Sequence, residues 1–158
     1  MIYSDAEIVP DSKPTDVTGY GLENLLGTDF KSKLESTDWL MVGCGAIGCE
    51  LLKNLSKLNL ATNGGSLLVT DPDHIEHSNL SRQFLFRNSH IGSSKSKTAC
   101  SVIHEMNNNI ATNAMEDKMS SENQELMDNM APKLFGVINA LDNIEARRYM
   151  DEQCYRYG

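Results

Sequence analysis

The chain has 158 residues, 40% of them hydrophobic, which is enough for one domain with a core of its own. Its 14 basic and 22 acidic residues give a formal charge of −8 and a pI near 4.9, which argues against general affinity for nucleic acid or acidic membranes. No apolar run approaches the ~18 residues of a membrane span, the N-terminus lacks the basic and apolar regions of a signal peptide, and Cys44, Cys49, Cys100 and Cys154 form no C-x-x-C pair. Reduced thiols in a cytoplasmic or nuclear setting are therefore expected, with neither a disulfide frame nor a zinc site.

Residues 1–18 carry Pro10 and Pro14 among polar side chains; with the residues up to 28 they read as a linker or N-terminal arm. Leu25, Leu26, Phe30 and Leu34 recur at helical spacing and predict a short helix within 22–35. The apolar run Trp39 to Val42 then leads into Gly43-x-Gly45-x-x-Gly48. Ile47, Leu51, Leu52 and Leu55 follow at helical spacing, so the order is strand, glycine turn and helix, with the helix running to about Leu60. In that context glycines keep side chains out of a tight turn and let a phosphate approach free N–H groups at a helix N-terminus. A second strand, Ser66 to Thr70, ends in Asp71, where an acid commonly holds a ribose hydroxyl. Close packing of helix on strand is the plainer use of the same glycines.

The segment Asp71 to Phe86 is dense in polar side chains, yet Ile75, Leu80, Phe84, Leu85 and Phe86 would pin it to a core. Ser94 is placed to cap a helix starting at Lys95, whose buried face would hold Ala99, Val102, Ile103 and Met106. Asn107 to Asn109 would end it, and Ile110 to Met115 is a poorly patterned third strand. Residues 118–133 read as a helical excursion stopped by Pro132. Leu134 to Ile138 is near-continuously apolar, as a strand buried on both faces should be. A last helix begins at Ile144. This alternation predicts an α/β fold: a Rossmann-like, doubly wound, mainly parallel sheet with helices on both faces and a ligand beyond the carboxyl ends of its strands. Four strands make a small sheet of this kind, so residues 29–158 are expected to be part of a longer domain.

Four groups at strand ends could carry chemistry. Asp71 and Asp73 suit a ribose hydroxyl and a magnesium ion, although Asp-Pro-Asp is also an ordinary turn former. Asn79, Arg82 and Gln83 suit phosphate oxygens if their segment turns helically, because residues three apart then share a face. Lys95 in a first helical turn opposes the helix dipole, which a nearby anion would explain, whereas Lys97 reads as a surface charge. Asp142 faces the expected crevice and suits Mg²⁺; its plainer role is to cap the following helix. His74, His77, His90 and His104 show no ligand spacing, and the cysteines read as packing residues, with no basic partner for Cys154.

Three stretches in order, Val42 to Asn54, Asp71 to Phe86 and Asn139 to Asn143, resemble the adenylation domain of E1 enzymes, which belong to the ThiF/E1 superfamily and activate ubiquitin and ubiquitin-like proteins. Asn63-Gly-Gly-Ser66 and the ending Ala146 to Cys154 lean towards the ubiquitin-activating members, in their second, active repeat. The resemblance implies a nucleotide loop at Gly43, Gly45 and Gly48, with Asp71 on the ribose and Asp73 near metal and phosphates. It implies Asn79, Arg82, Gln83 and Lys95 around the triphosphate and its transition state, with Arg82, Lys95 and Asp142 as the catalytic set and Asp142 and Asp73 as Mg²⁺ ligands.

ATP and Mg²⁺ are then the expected cofactors. The expected partners are a ubiquitin-like protein, an inactive partner repeat and, through other domains, an E2 enzyme. The family's thioester-forming cysteine has no match in this chain. Ser93 stands where the family often has lysine, Cys44 where it has a smaller residue, and Gly19-Tyr-Gly21 replaces its Arg-Tyr-Asp stretch. A degenerate E1-like scaffold repeat and a dinucleotide-dependent oxidoreductase are the alternatives. The first typically loses the aspartate and phosphate-binding residues present here, and the second does not need a triphosphate–metal cluster.

Overall fold

Four short strands, β1 (Asp38–Val42), β2 (Leu67–Thr70), β3 (Thr112–Met115) and β4 (Leu134–Asn139), form one parallel sheet in the order β3–β2–β1–β4. The helices are α1 (Thr28–Ser36), α2 (Ala46–Lys57), α3 (Lys95–Met106), α4 (Gln124–Met130) and α5 (Ile144–Tyr157). The computed structural model describes residues 24–158. The arm expected over 1–18 lies outside them, and the described part of the 22–35 helix is helical at 24–26 and again in α1.

β1 reads as continuously apolar because both of its faces are covered. On one face Met41 packs with Leu67 and Val69, under Cys49 and Leu52 of α2 and Ala99 and Ile103 of α3. On the other, Leu40 and Val42 pack with Met127 of α4 and Met150 of α5. Helices thus cover both faces, as the alternation of elements requires. Leu40, Met41, Leu52, Ile103, Met127 and Met150 are all fully buried, each contributing about 1.5–3 kcal/mol of apolar transfer relative to exposure.

Several boundaries differ from the sequence expectation for local reasons. α2 ends at Lys57 rather than near Leu60, because Asn59 (φ 60°) and Ala61 (φ 54°) turn the chain through left-handed conformations while buried Leu60 anchors it. β3 begins at Thr112, two residues later than expected. Of residues 118–133 only Gln124–Met130 is α-helical; Ser121–Asn123 and Ala131–Lys133 are 3₁₀ turns, and Pro132, which has no N–H to donate, lies in the second of them.

The expectation that β4 is buried on both faces is wrong. β4 pairs only with β1 among the described residues, so it is an edge strand, and Phe135 is 55% exposed. An unbroken apolar run does not by itself distinguish an edge from an interior position. Gly136 leaves room for the Trp39 ring, which packs against Phe135 with centroids 5.1 Å apart.

Candidate functional site

Val42 is paired with Thr70 on one side and Asn139 on the other, so β1, β2 and β4 end level and Gly43, Asp71 and Ala140 leave the sheet side by side. Strand order reverses between β1 and β4, and a doubly wound sheet opens a crevice at such a point. The cleft found there measures about 1000 Å³. Gly43, Gly45, Asp71, Asp73, Asn79, Arg82, Gln83, Lys95 and Asp142 all line it.

The three glycines have separate reasons. Gly43 has φ 98°, and a Cβ on it would stand 2.7 Å from the Ala140 carbonyl oxygen. A Cβ on Gly48 would collide with the Gly43 carbonyl, so this residue sets how closely α2 packs on the loop; it does not line the cleft. Gly45 caps α2, and nothing lies within 4 Å of where its Cβ would be. Packing does not require glycine at 45; without a side chain there the uncapped first turn of α2 lies open, and such a turn offers free N–H groups to an anion.

Asp71 joins two of these parts. One carboxylate oxygen accepts from the Cys44 N–H at 2.6 Å and the other from the Asp73 N–H at 2.9 Å. Burial pushes its carboxyl above the ordinary value of 3.8, against the pull of these two N–H groups and of Lys95. Beyond Asp73 the polar excursion closes on itself. His74 bridges Ser94, Ile75 N–H donates to Ser93, Gly92 N–H to Ile75, and Lys95 N–H to the Asp73 carbonyl. This neck places Lys95 Nζ 2.8 Å from the Asp73 carboxylate, which is the anion its position called for. The Lys95 side chain is 9% exposed and that of Asp73 65%, so the pair presents its carboxylate to solvent.

Inside the excursion His77–Ser81 is a 3₁₀ helix, which puts Asn79 and Arg82 on one face. Asn79 accepts from the Glu76 N–H, and Arg82 donates to the Ser78 carbonyl at 3.1 Å. Ile75, Leu85 and Phe86 anchor the segment in the core. Gln83 is 3% exposed, and its Oε1 has no hydrogen-bond partner. An unpaired buried acceptor is costly, and this one belongs to a residue of the cleft, where a ligand donor would satisfy it.

Across the cleft, Asn143 and not Asp142 caps α5, accepting from the Ala146 N–H at 2.7 Å. The capping role considered for Asp142 therefore falls to its neighbour, and Asp142 stands exposed at the cleft rim. No group of three or more His, Cys, Asp or Glu suited to a metal exists among the described residues. Asp142 and the open side of Asp73 nevertheless fit Mg²⁺, which is commonly held by one or two carboxylates together with phosphate oxygens and water.

The sequence reading missed Thr70, Asp117, Lys118, Met119, Asn143 and Arg147, which also line the cleft. The rule that ligands lie beyond carboxyl strand ends points to 117–119 once β3 is placed, and Thr70 Oγ1 ties that loop to β2 by donating to the Asp117 carbonyl at 2.5 Å. His74 lines the cleft as well, 3.9 Å from Glu116, which Lys97 also pairs with. None of the cysteines is activated as a thiolate: burial raises the Cys44 thiol well above its ordinary value, takes Cys49 and Cys100 to about 11, and raises exposed Cys154 too.

Residues 20–158 match the ThiF family. The chain is 44% identical over 135 residues to the ubiquitin-like modifier-activating enzyme 1 of Mus musculus, and 45% identical over 138 residues to that of Dictyostelium discoideum. In each case 84% of this chain is covered but only 13% of the relative, so the chain spans a small part of these proteins' length. The solved structure of the E. coli tRNA N6-threonylcarbamoyladenosine dehydratase TcdA in complex with ATP superposes with a TM-score of 0.76 at 19% identity, covering 88% of this chain and 55% of that one. Its AMP complex gives 0.74 at 20% identity, covering 86% and 53%. Parallel sheet, glycine loop and switch-point cleft agree with these matches: the chain belongs to the ThiF family.

Proposed function

We propose that the chain forms the nucleotide-binding part of a ubiquitin-activating (E1-type) enzyme of the ligase class. It would use ATP and Mg²⁺ to adenylate the C-terminal glycine carboxylate of ubiquitin or a ubiquitin-like protein, before thioester formation on a cysteine outside the chain. The observation that carries this reading is the meeting, at one switch-point cleft, of an open helix N-terminus at Gly45 with Lys95–Asp73 on one wall and Asp142 on the other. A triphosphate with a metal needs that set of charges; a dinucleotide does not. The relatives' names, ubiquitin-like modifier-activating enzymes, support the protein substrate, and the ATP and AMP complexes of TcdA support the nucleotide.

In this mechanism the Gly43–Gly45 loop and the first-turn N–H groups of α2 receive phosphate oxygens, and the remaining lone pairs of Asp71 accept from the ribose. Asn79, Arg82, Gln83 and Lys95 neutralise and orient the triphosphate. A carboxylate oxygen of the protein substrate bonds to the α-phosphorus as the bond to the bridging oxygen breaks, and pyrophosphate leaves with the electron pair. Both reactants are anions, so fixed cations and donors lower the barrier as charge builds. Mg²⁺, when bound, supplies a hard positive charge on the phosphate oxygens, with Asp142 and Asp73 as its protein ligands.

The reading carries with it an inactive partner repeat, an E2 enzyme engaged through other domains, and cytoplasmic and nuclear residence. It invokes neither nucleic acid nor membrane; no helix among the described residues is long and apolar enough to cross one. The chain alone is expected not to charge ubiquitin. ATP–pyrophosphate exchange by the full-length gene product, with and without ubiquitin, tests the proposal. Exchange that requires ubiquitin and collapses in Asp142→Ala supports it. ATP binding without exchange points to a scaffold repeat or another modifier, and binding of NAD in place of ATP overturns it.

A further inference from the structure

Arg147, on the first turn of α5, is used by none of the roles above. It lines the cleft, and its Nε donates to the Leu141 carbonyl at 2.8 Å, beside Asp142. That bond tethers the side chain at one atom and leaves the two terminal nitrogens of the guanidinium uncommitted; no carboxylate pairs with it among the described residues. A cation in the first turn of a helix opposes the helix dipole, so the position is unfavourable for Arg147 unless an anion arrives. Lys95, the first residue of α3, has Asp73 beside it; Arg147, the fourth residue of α5, has no such partner among the described residues.

The two cations flank different sides of the switch point. Lys95 and Arg82 follow β2, on the wall beside the glycine loop, and Arg147 follows β4 on the opposite wall. The proposed reaction brings together two anions, a triphosphate and a carboxylate, that must be held separately before they meet. A tethered, planar guanidinium is matched to a carboxylate, with two parallel N–H donors for two oxygens. Lys118, the other cation of the cleft, offers only a point charge on a flexible stem.

We infer that Arg147 is the seat of the terminal carboxylate of the protein substrate and orients it towards the α-phosphorus. This rests on the adenylation reading above. The test uses the full-length gene product, with ATP–pyrophosphate exchange measured at varied ATP and varied ubiquitin, and with binding of ubiquitin compared with ubiquitin carrying a C-terminal amide. Arg147→Ala is expected to raise KM for ubiquitin by about tenfold or more, the scale of a lost charge-assisted pair, with KM for ATP within about twofold. Arg147→Lys should recover part of the loss, and Arg148→Ala, which lies outside the cleft, should behave as wild type.

Arg147→Gln keeps a donor for the Leu141 carbonyl but removes the charge, so it separates carboxylate binding from tethering of the loop and serves if the alanine variant fails to fold. Wild type should prefer the free carboxylate over the amide, and Arg147→Gln should lose that preference. A Gln variant that retains the preference, or an equal rise in both KM values, overturns the carboxylate seat while leaving adenylation standing. Absence of exchange in the wild-type protein overturns both.

Discussion

The two walls of the cleft are built differently. The wall that follows β2 is buried and bonded: Asp71, Asn79, Gln83 and Lys95 are each under 10% exposed, and backbone N–H groups or the Asp73 carboxylate hold most of them in place. The wall that follows β4 is open, with Asp142, the cap Asn143 and Arg147 exposed around the start of one helix, beside an edge strand. Polar groups buried in advance lose little freedom when a ligand arrives, so the first wall suits a ligand held in one pose. The second can take in a mobile chain end. Substitutions on the first wall should therefore cost stability as well as binding, and those on the second, the α5 cap Asn143 apart, should cost function alone.

The largest stability effect is expected at the junction of the walls. Gly48→Ala should destabilise by about 3 kcal/mol or more in urea unfolding, because its Cβ meets backbone that cannot yield, while Gly45→Ala should fold nearly as wild type and lose nucleotide affinity. Equal stability for the two variants would remove the distinction drawn between a packing glycine and a ligand glycine.

Next is Asp71→Asn, expected to cost about 1–3 kcal/mol because an amide cannot accept from both the Cys44 and Asp73 N–H groups with two oxygens. The pH dependence has a definite sign. The folded carboxyl titrates above 3.8, so its contribution to stability is full below that value and is lost as pH rises through the folded pKa. The stability of wild type relative to Asp71→Asn should accordingly shrink over that rise, and growth in the difference would show that the N–H bonds outweigh burial.

On the open wall, Asn143→Ala should cost about 1 kcal/mol through loss of the α5 cap. Asp142→Ala should leave the melting transition almost unchanged, within about 0.5 kcal/mol, and yet abolish exchange. A destabilisation comparable to that of Asp71→Asn would erase the contrast between the walls.

Legibility in the sequence followed the same division. β1, the glycine turn, α2 and the Ser94 cap could be read because local periodicity and fixed spacing determine them. The gathering of Asp71, Asp73, Asn79, Arg82, Gln83, Lys95 and Asp142 around one cleft was readable from their places at strand ends. The anion beside Lys95 was not, because the neck formed by 73–75 and 92–95 is a tertiary pairing. Arg147 was missed for the same reason, its tether being a carbonyl outside its own helix. β4 was misread because an unbroken apolar run does not report how fully it is covered: the strand pairs only with β1 among the described residues, and Phe135 is exposed.

The pairing of β1 with both neighbours has a kinetic consequence. Trp39 meets Leu67 about 30 residues along the chain, but Asp38 meets Leu134 only after roughly 95, and closing the longer loop costs about 1 kcal/mol more in chain entropy. Contacts of such long range form late. During folding the wall with Lys95 can therefore assemble around β1 and β2 while the segment with Asp142 is still undocked, and the cleft is completed only by the last strand to arrive. A ligand that spans both walls would bind only the finished sheet, and so would slow the release of β4 during unfolding.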